Sequence, residues 1–290
     1  MKTLRECIKE AEAKKVAIGH FNISNLEGLH AIYNAAKKLN VPVVIGVSEG
    51  EEDFVGREEA VALVRTLRER DDYPIFLNAD HHYSFERVKL AIDAGFDAVV
   101  IDAVKLPLLE NIAVTKKCVD YAREVSQREN RDILVEAELG FIGISSKILE
   151  KLPDGVSEET MTKPADAADF VKKTGIDLLA PSIGNVHGMV RSGNPRLHPE
   201  RVRAIRAASG VPLVLHGGSG SLNEDFVACI KAGIAIVHIN TEIRVAYTEG
   251  LEKSLAESPE ETTPYKYLPG GQKAMEEVVE ARLKLFNNIK

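Results

Sequence analysis

The sequence predicts a closed, parallel (β/α)8 barrel, the TIM-barrel fold, with an extra C-terminal helix. Eight short runs rich in Val, Ile and Leu recur along the chain, and helical patterns separate them. The same helix–glycine–strand join returns at Gly95, Gly175 and Gly233. Runs that are apolar on both faces read as buried parallel strands. Repeated βα units with short joins build a parallel sheet. Eight such units over 290 residues fit one barrel domain spanning residues 1–290. The competing architecture, an open doubly wound sheet, would carry a GxGxxG turn after its first strand, and none is present.

Taken in order, the N-terminal stretch MKTLRECIKEAEAKK is charged and helical in pattern, unlike a signal peptide. The strand runs are residues 16–21, 41–48, 73–80, 97–102, 132–139, 177–184, 211–218 and 234–240. A helix is expected from Asn25, a good cap residue, to Asn40, with Leu26, Leu29, Ile32, Ala36 and Leu39 on its apolar face. Another runs from Ser84 as N-cap to Ala94 and stops at Gly95. Residues 140–164 and 188–198 read as long loops after the fifth and sixth strands, and long loops in compact domains tend to be functional. Residues 264–271 read as a Pro/Tyr-rich turn before the final helix.

Composition narrows the function. With 44% hydrophobic and 28% charged residues the chain reads as an ordinary soluble enzyme. A net charge of −7 argues against a nucleic-acid binder. No apolar run approaches the roughly 20 residues that span a bilayer, so no membrane partner is expected. Cys7, Cys118 and Cys229 are widely spaced and odd in number, as free thiols of a reducing, cytoplasmic compartment would be.

Barrel enzymes place their chemistry at the C-terminal ends of the strands. Here those ends carry Asp80-His81-His82, Asp102, Glu136-Ala137-Glu138, His187-Gly188, His216-Gly217-Gly218-Ser219-Gly220 and His238-Ile239-Asn240-Thr241. His81, His187 and His216 come from three strand ends on one rim. Three imidazoles with an open fourth position form a catalytic zinc pattern. The glycines of HGGSG let backbone N–H groups approach a ligand, and with Asn240-Thr241 alongside they suit a phosphate. Asp80 is a candidate general acid/base. Adjacent to a ligand in a pleated strand, it is expected to point to a different side from His81. Asp102 and Glu138 have three roles open: accepting ligand hydrogen bonds, forming a second metal position, or closing a salt bridge. His82 reads as a hydrogen-bonded structural residue, and His20, His30 and His198 as structural or exposed.

These pieces resemble the class II, metal-dependent fructose- and tagatose-bisphosphate aldolases. The resemblance rests on GHFNISNLEG (19–28), VSEG (47–50), ADHH (79–82) with SFERVKLAIDAGFDAVVID (84–102), VEAELG (135–140), IGNVHG (183–188), PLVLHGGSG (212–220) and INTE (239–242), in order along nearly the whole chain. It implies His81, His187 and His216 as metal ligands, Asp80 as the catalytic carboxylate, and zinc as the metal, with a monovalent cation as a further candidate. It implies reversible cleavage of a ketose 1,6-bisphosphate of the fructose or tagatose type to dihydroxyacetone phosphate and an aldehyde phosphate, with a different ketose 1-phosphate as the alternative substrate, by a homo-oligomer, dimer or tetramer. The chain departs from the family at the GGxED loop, here FIGISSKILEK (141–151), at Ala103-Val104 after Asp102, at His238 where Asn is common, and at Pro269 near a phosphate-gripping Arg of some members. Ser48, Gly188 and Arg191 are the remaining candidates around the substrate, with Ser48 and Arg191 for a second phosphate.

Breaking a carbon–carbon bond next to a carbonyl leaves an enediolate whose charge must be held. No lysine lies within the eight strand runs, which argues against a Schiff base and for a metal. A metal-dependent hydrolase would not need the phosphate loop. A non-catalytic sugar-phosphate binder would not need Asp80.

Overall fold

The computed structural model describes residues 2–143, 147–151, 157–191 and 195–290. The strands among them are β1 (Ile18–Asn22), β2 (Val43–Val47), β3 (Ile75–His82), β4 (Ala98–Ile101), β5 (Leu134–Leu139), β6 (Ile148–Leu149), β7 (Leu178–Pro181), β8 (Met189–Val190), β9 (Leu213–Leu215) and β10 (Ile234–Ile239). Eight of them close into a parallel barrel in the ring order β1-β2-β3-β4-β5-β7-β9-β10. The helices are α1 (Leu4–Lys14), α2 (Leu26–Leu39), α3 (Glu49–Val55), α4 (Arg57–Asp71), α5 (Phe85–Ala94), α6 (Leu108–Glu129), α7 (Pro164–Thr174), α8 (Pro199–Ser209), α9 (Asn223–Ala232), α10 (Thr241–Glu257) and α11 (Pro264–Phe286). The predicted barrel and its C-terminal helix are both present.

Local chemistry fixes the ends of these elements. Asn25 and Ser84 cap α2 and α5 by accepting the N–H of Gly28 and Arg87. Gly95 and Gly175 close α5 and α7 in left-handed conformation, where a side chain would be strained. Helix α1 opens on a reciprocal Thr3–Glu6 capping box. Its buried face, Leu4, Cys7, Ile8 and Ala11, packs on the inward residues Ile18, Val44, Phe76, Leu134, Leu178, Val214 and Ile236, and so plugs the N-terminal end of the barrel. Each large apolar side chain buried there contributes about 1.5–3 kcal/mol.

Two aspartates tie neighbouring strands at this lower end. Asp97, just before β4, accepts the N–H of Leu77 on β3 at 2.8 Å and is gripped by Arg68. Asp177, just before β7, accepts the N–H of Val135 on β5 at 2.9 Å and is gripped by Arg123 and Arg5 at 2.8 and 2.9 Å.

One expectation is corrected. Residues 264–271 are not a turn but the first part of α11, which starts with Pro264 at its first position and runs through Pro269. An interior proline costs a helix about 3 kcal/mol. Close packing on α10 opposes that cost: a side chain on Gly270 would begin 2.9 Å from the carbonyl oxygen of Gly250, and one on Gly271 2.9 Å from that of Tyr247. The two long loops stand where expected, residues 144–146, 152–156 and 192–194 of them lying outside the described residues. Ile148 and Leu149 pair in parallel with Met189 and Val190, which ties the loop after β5 to the loop after β7.

Candidate active site

Along each strand, side chains two residues apart share a face. The inward face starts apolar at the plugged end and turns polar towards the C-terminal mouth. Ile18 is followed by His20 and Asn22, Phe76 by Asn78 and Asp80, Leu134 by Glu136 and Glu138, Val214 by His216, and Ile236 by His238. The polar residues of this series are all buried.

Strand β3 breaks that alternation where it matters. His81 has φ +49°, in the left-handed region, and the β3–β4 register shifts between Ala79 and His82. A non-glycine residue held there costs about 1–3 kcal/mol. The turn brings Asp80 and His81 to the same mouth, Asp80 Oδ1 lying 3.8 Å from His81 Nε2. Pleating alone would have separated them, so the expected split between the two side chains is corrected. His82 faces outward to Glu52, Nε2 to Oε2 at 3.0 Å, fully buried.

His81, His187, His216 and Glu138 present ligand atoms that all lie within 4.8 Å of one another. Two outer carboxylates stand behind these imidazoles. Asp102 Oδ2 is 3.1 Å from His81 Nδ1, and Glu136 Oε1 is 2.6 Å from His216 Nε2. His81 Nε2 and His216 Nδ1 face each other at 3.1 Å. Glu138 Oε1 sits 2.9 Å from His216 Nδ1, 3.4 Å from His81 Nδ1 and 3.8 Å from His187 Nε2, buried and without a hydrogen bond of good geometry. Such a set calls for a cation. Burial pushes the His81 imidazole down, but Asp80, Glu138 and Asp102 outweigh it and raise it to about 9. The same imidazoles, working against burial, hold Glu138 well below the usual carboxylate range. Nitrogen donors on outer carboxylates, converging on one point, fit a divalent metal of the zinc type.

Asp80 stands beside this cluster. Its Oδ2 accepts from Asn22 Nδ2 at 2.9 Å, and its Oδ1 lies 3.3 Å from His238 Nδ1. Burial raises its pKa, but His81 and His238 prevail and keep it ionised. His238 is packed between His20, stacked at 3.5 Å, and His216, at 3.9 Å. Glycine at position 46 makes room for this stack, because a Cβ there would lie 2.2 Å from the His20 ring.

Above the cluster opens a cavity of about 510 Å³, the size of a small-molecule site. Asp80, His81, Asp102, His187 and His216 line it, together with Gly188, Gly217, Gly218 and Ser219. Ser48, Asn240 and Thr241 also line it. Gly217 has φ +60°, and a Cβ there would strike the Val186 carbonyl at 2.5–2.6 Å. Arg191 is not among the lining residues. Its Nε lies 3.2 Å from Glu150 Oε1, both side chains being exposed.

The family model for class II fructose-bisphosphate aldolase matches residues 2–290. The chain belongs to the class II fructose-bisphosphate aldolase family. It is 37% identical to the fructose-bisphosphate aldolase of Geobacillus stearothermophilus over 290 residues, 99% of this chain and 96% of the relative. The Staphylococcus aureus fructose-bisphosphate aldolase (strain Mu50) is also 37% identical, over 98% of this chain and 96% of its own. Among solved structures, the YdjI aldolase of Escherichia coli K12 superposes with a TM-score of 0.80 at 31% identity, covering 98% of this chain and 96% of that one. The family is one of metal-dependent lyases, and this chain is an aldolase of it. No helix among the described residues is long and apolar enough to cross a membrane.

Several residues of this aldolase's mouth escaped the sequence reading. Asn22, Glu51, Lys105 and Arg244 all line the cavity; the sequence places Glu136 and His238 at strand ends without a role, and His20 reads there as structural or exposed. The inward two-residue series carries a signal for Asn22, His20, Glu136 and His238. Glu51, Lys105 and Arg244 stand on helices or loops, where no such spacing marks them.

Proposed function

We propose that this aldolase holds one zinc ion on His81, His187 and His216 and reversibly cleaves a ketose phosphate of the fructose or tagatose type, the 1,6-bisphosphate among them. The products are dihydroxyacetone phosphate and an aldehyde. The observation that carries the reading is the 3.1 Å approach of His81 Nε2 to His216 Nδ1 above the buried Glu138 Oε1, one residue from an ionised Asp80. Bound there, the metal supplies positive charge beside the ketone, where negative charge develops as the bond breaks.

The remaining chemistry falls to the chain's own residues. Asp80 accepts the proton of the C4 hydroxyl as the C3–C4 bond breaks, and returns it in condensation. Asn22 holds that carboxylate by its far oxygen. Asp102 and Glu136 orient His81 and His216, and Glu138 closes the floor beneath all three imidazoles. The backbone of Gly217 and Gly218, the Ser219 hydroxyl and the start of α10 at Asn240-Thr241 receive the phosphate on the ketone side, as a helix N-terminus does. Gly188 leaves that entrance open. The buried free thiols Cys7, Cys118 and Cys229 suit a cytoplasmic enzyme. A homo-oligomer and a monovalent cation beside the phosphate complete the proposal. A panel of phosphorylated ketoses, assayed for dihydroxyacetone phosphate with and without chelator, tests it. Release from none of them, or release indifferent to the chelator, refutes it.

A further inference from the structure

At the mouth of β2, a carboxylate occupies the donors that a second phosphate would need. Ser48 is the sequence's candidate for gripping the far end of a bisphosphate. Its hydroxyl and its N–H both donate to Glu51 Oε2, at 2.9 and 2.8 Å. A third donor, Asn22 Nδ2, reaches the same oxygen at 2.7 Å. Three donors on one oxygen fix the carboxylate in place and leave Oε1 as its other acceptor. Oε1 has one weak neighbour, Asn240 Nδ2 at 3.4 Å. The second candidate from the sequence, Arg191, is engaged with Glu150 outside the cavity lining.

The substrate's far end therefore meets a fixed carboxylate on this side of the rim, although Lys105 and Arg244 also line the mouth. A carboxylate oxygen accepts hydrogen bonds from sugar hydroxyls and repels a phosphate dianion. Both effects act in one direction. Asn22 donates to Glu51 and to Asp80 alike, which sets Glu51 next to the carboxylate that serves the reacting bond.

Resting on the aldolase reading above, we propose that Glu51 is a specificity-determining residue that turns the far end of the site towards aldehyde halves ending in an uncharged hydroxyl and away from those ending in phosphate. The measurement is kcat/KM for fructose 1-phosphate and for fructose 1,6-bisphosphate, with the metal-loaded wild type, Glu51→Gln and Glu51→Ala. In the wild type, fructose 1-phosphate is expected to be cleaved at least as efficiently as the bisphosphate. Glu51→Gln keeps the shape and removes the charge, and should move the ratio towards the bisphosphate by about tenfold or more. Glu51→Ala also frees the Ser48 donors and should move it further. Because both substrates are read on one protein, a general loss of activity cancels in the ratio. An unmoved ratio in both variants overturns the proposal, as does a wild-type preference for the bisphosphate of more than about a hundredfold. Cleavage of neither sugar by the wild type is a different failure, which removes the fructose-type substrate of the reading above and overturns this proposal with it.

Discussion

Asn22 Nδ2 donates to Asp80 Oδ2 at 2.9 Å, so strand β1 holds the carboxylate that strand β3 presents to the substrate. Its other oxygen lies 3.3 Å from His238 Nδ1, and Asp80 remains charged. A group held in this way moves protons without having to be reoriented first.

Asp80→Ala should therefore leave fold and metal content intact and lower the cleavage rate by about 10²–10⁴, the usual worth of a positioned acid/base. Steady-state kinetics with metal analysis of the same sample checks this. An unchanged kcat would leave Asp80 only the role of steadying its neighbours.

Alanine at His81, His187 or His216 should remove most of the bound metal. Asp102→Asn and Glu136→Gln should weaken metal affinity by about 10- to 100-fold, because each carboxylate stands behind one ligand. Elemental analysis and competition with a chelator give both numbers. Full metal content in all three histidine variants would dismiss the site.

Borohydride added with substrate should not inactivate the enzyme, since the reading needs no Schiff base. Lys105 lines the cavity and is the amine to watch. Peptide mapping that found a reduced adduct on it would replace metal chemistry with covalent catalysis.

Ser219→Ala should raise the KM for dihydroxyacetone phosphate in condensation by about 10- to 150-fold, on the order of one lost hydrogen bond to a charged group, about 1.5–3 kcal/mol. The KM for the aldehyde should change little. A phosphate found elsewhere in the mouth by crystallography, and not at this loop, would contradict the assignment.

Asp177→Ala should cost about 1–3 kcal/mol of stability by leaving the Val135 N–H without its acceptor, while kcat and KM stay at wild-type values. Denaturant unfolding measures the first and standard assays the second. Loss of activity in the folded variant would mean that the lower end of the barrel reaches the site.

The eight strands were legible because hydrophobic runs and helix–glycine joins are local signals. So was the placement of His81 and His216 at strand ends, whereas His187 stands on the loop six residues beyond β7. The left-handed turn at His81 was not legible. Nothing in ADHH announces that Asp80 and His81 will share a side, because the turn is imposed by the register shift against β4. Helix α11 was misread for a related reason. Pro269, Gly270 and Gly271 disfavour a helix locally, and only the close face of α10 makes them acceptable. Glu51 was missed because its significance depends on Ser48, Asn22 and Asn240, which come together only when the barrel closes.

Asp97 and Asp177 do one job at two places: each joins a strand to its predecessor at the end of the barrel remote from the cavity. The molecule thus keeps its mechanical joints and its reactive groups at opposite poles. Lineages that alter Glu51, Lys105 or the residues around Ser48 can explore new sugars without loosening those joints. Substitutions at the joints, in turn, can tune heat tolerance without retuning the chemistry. Selection can act on the two poles independently.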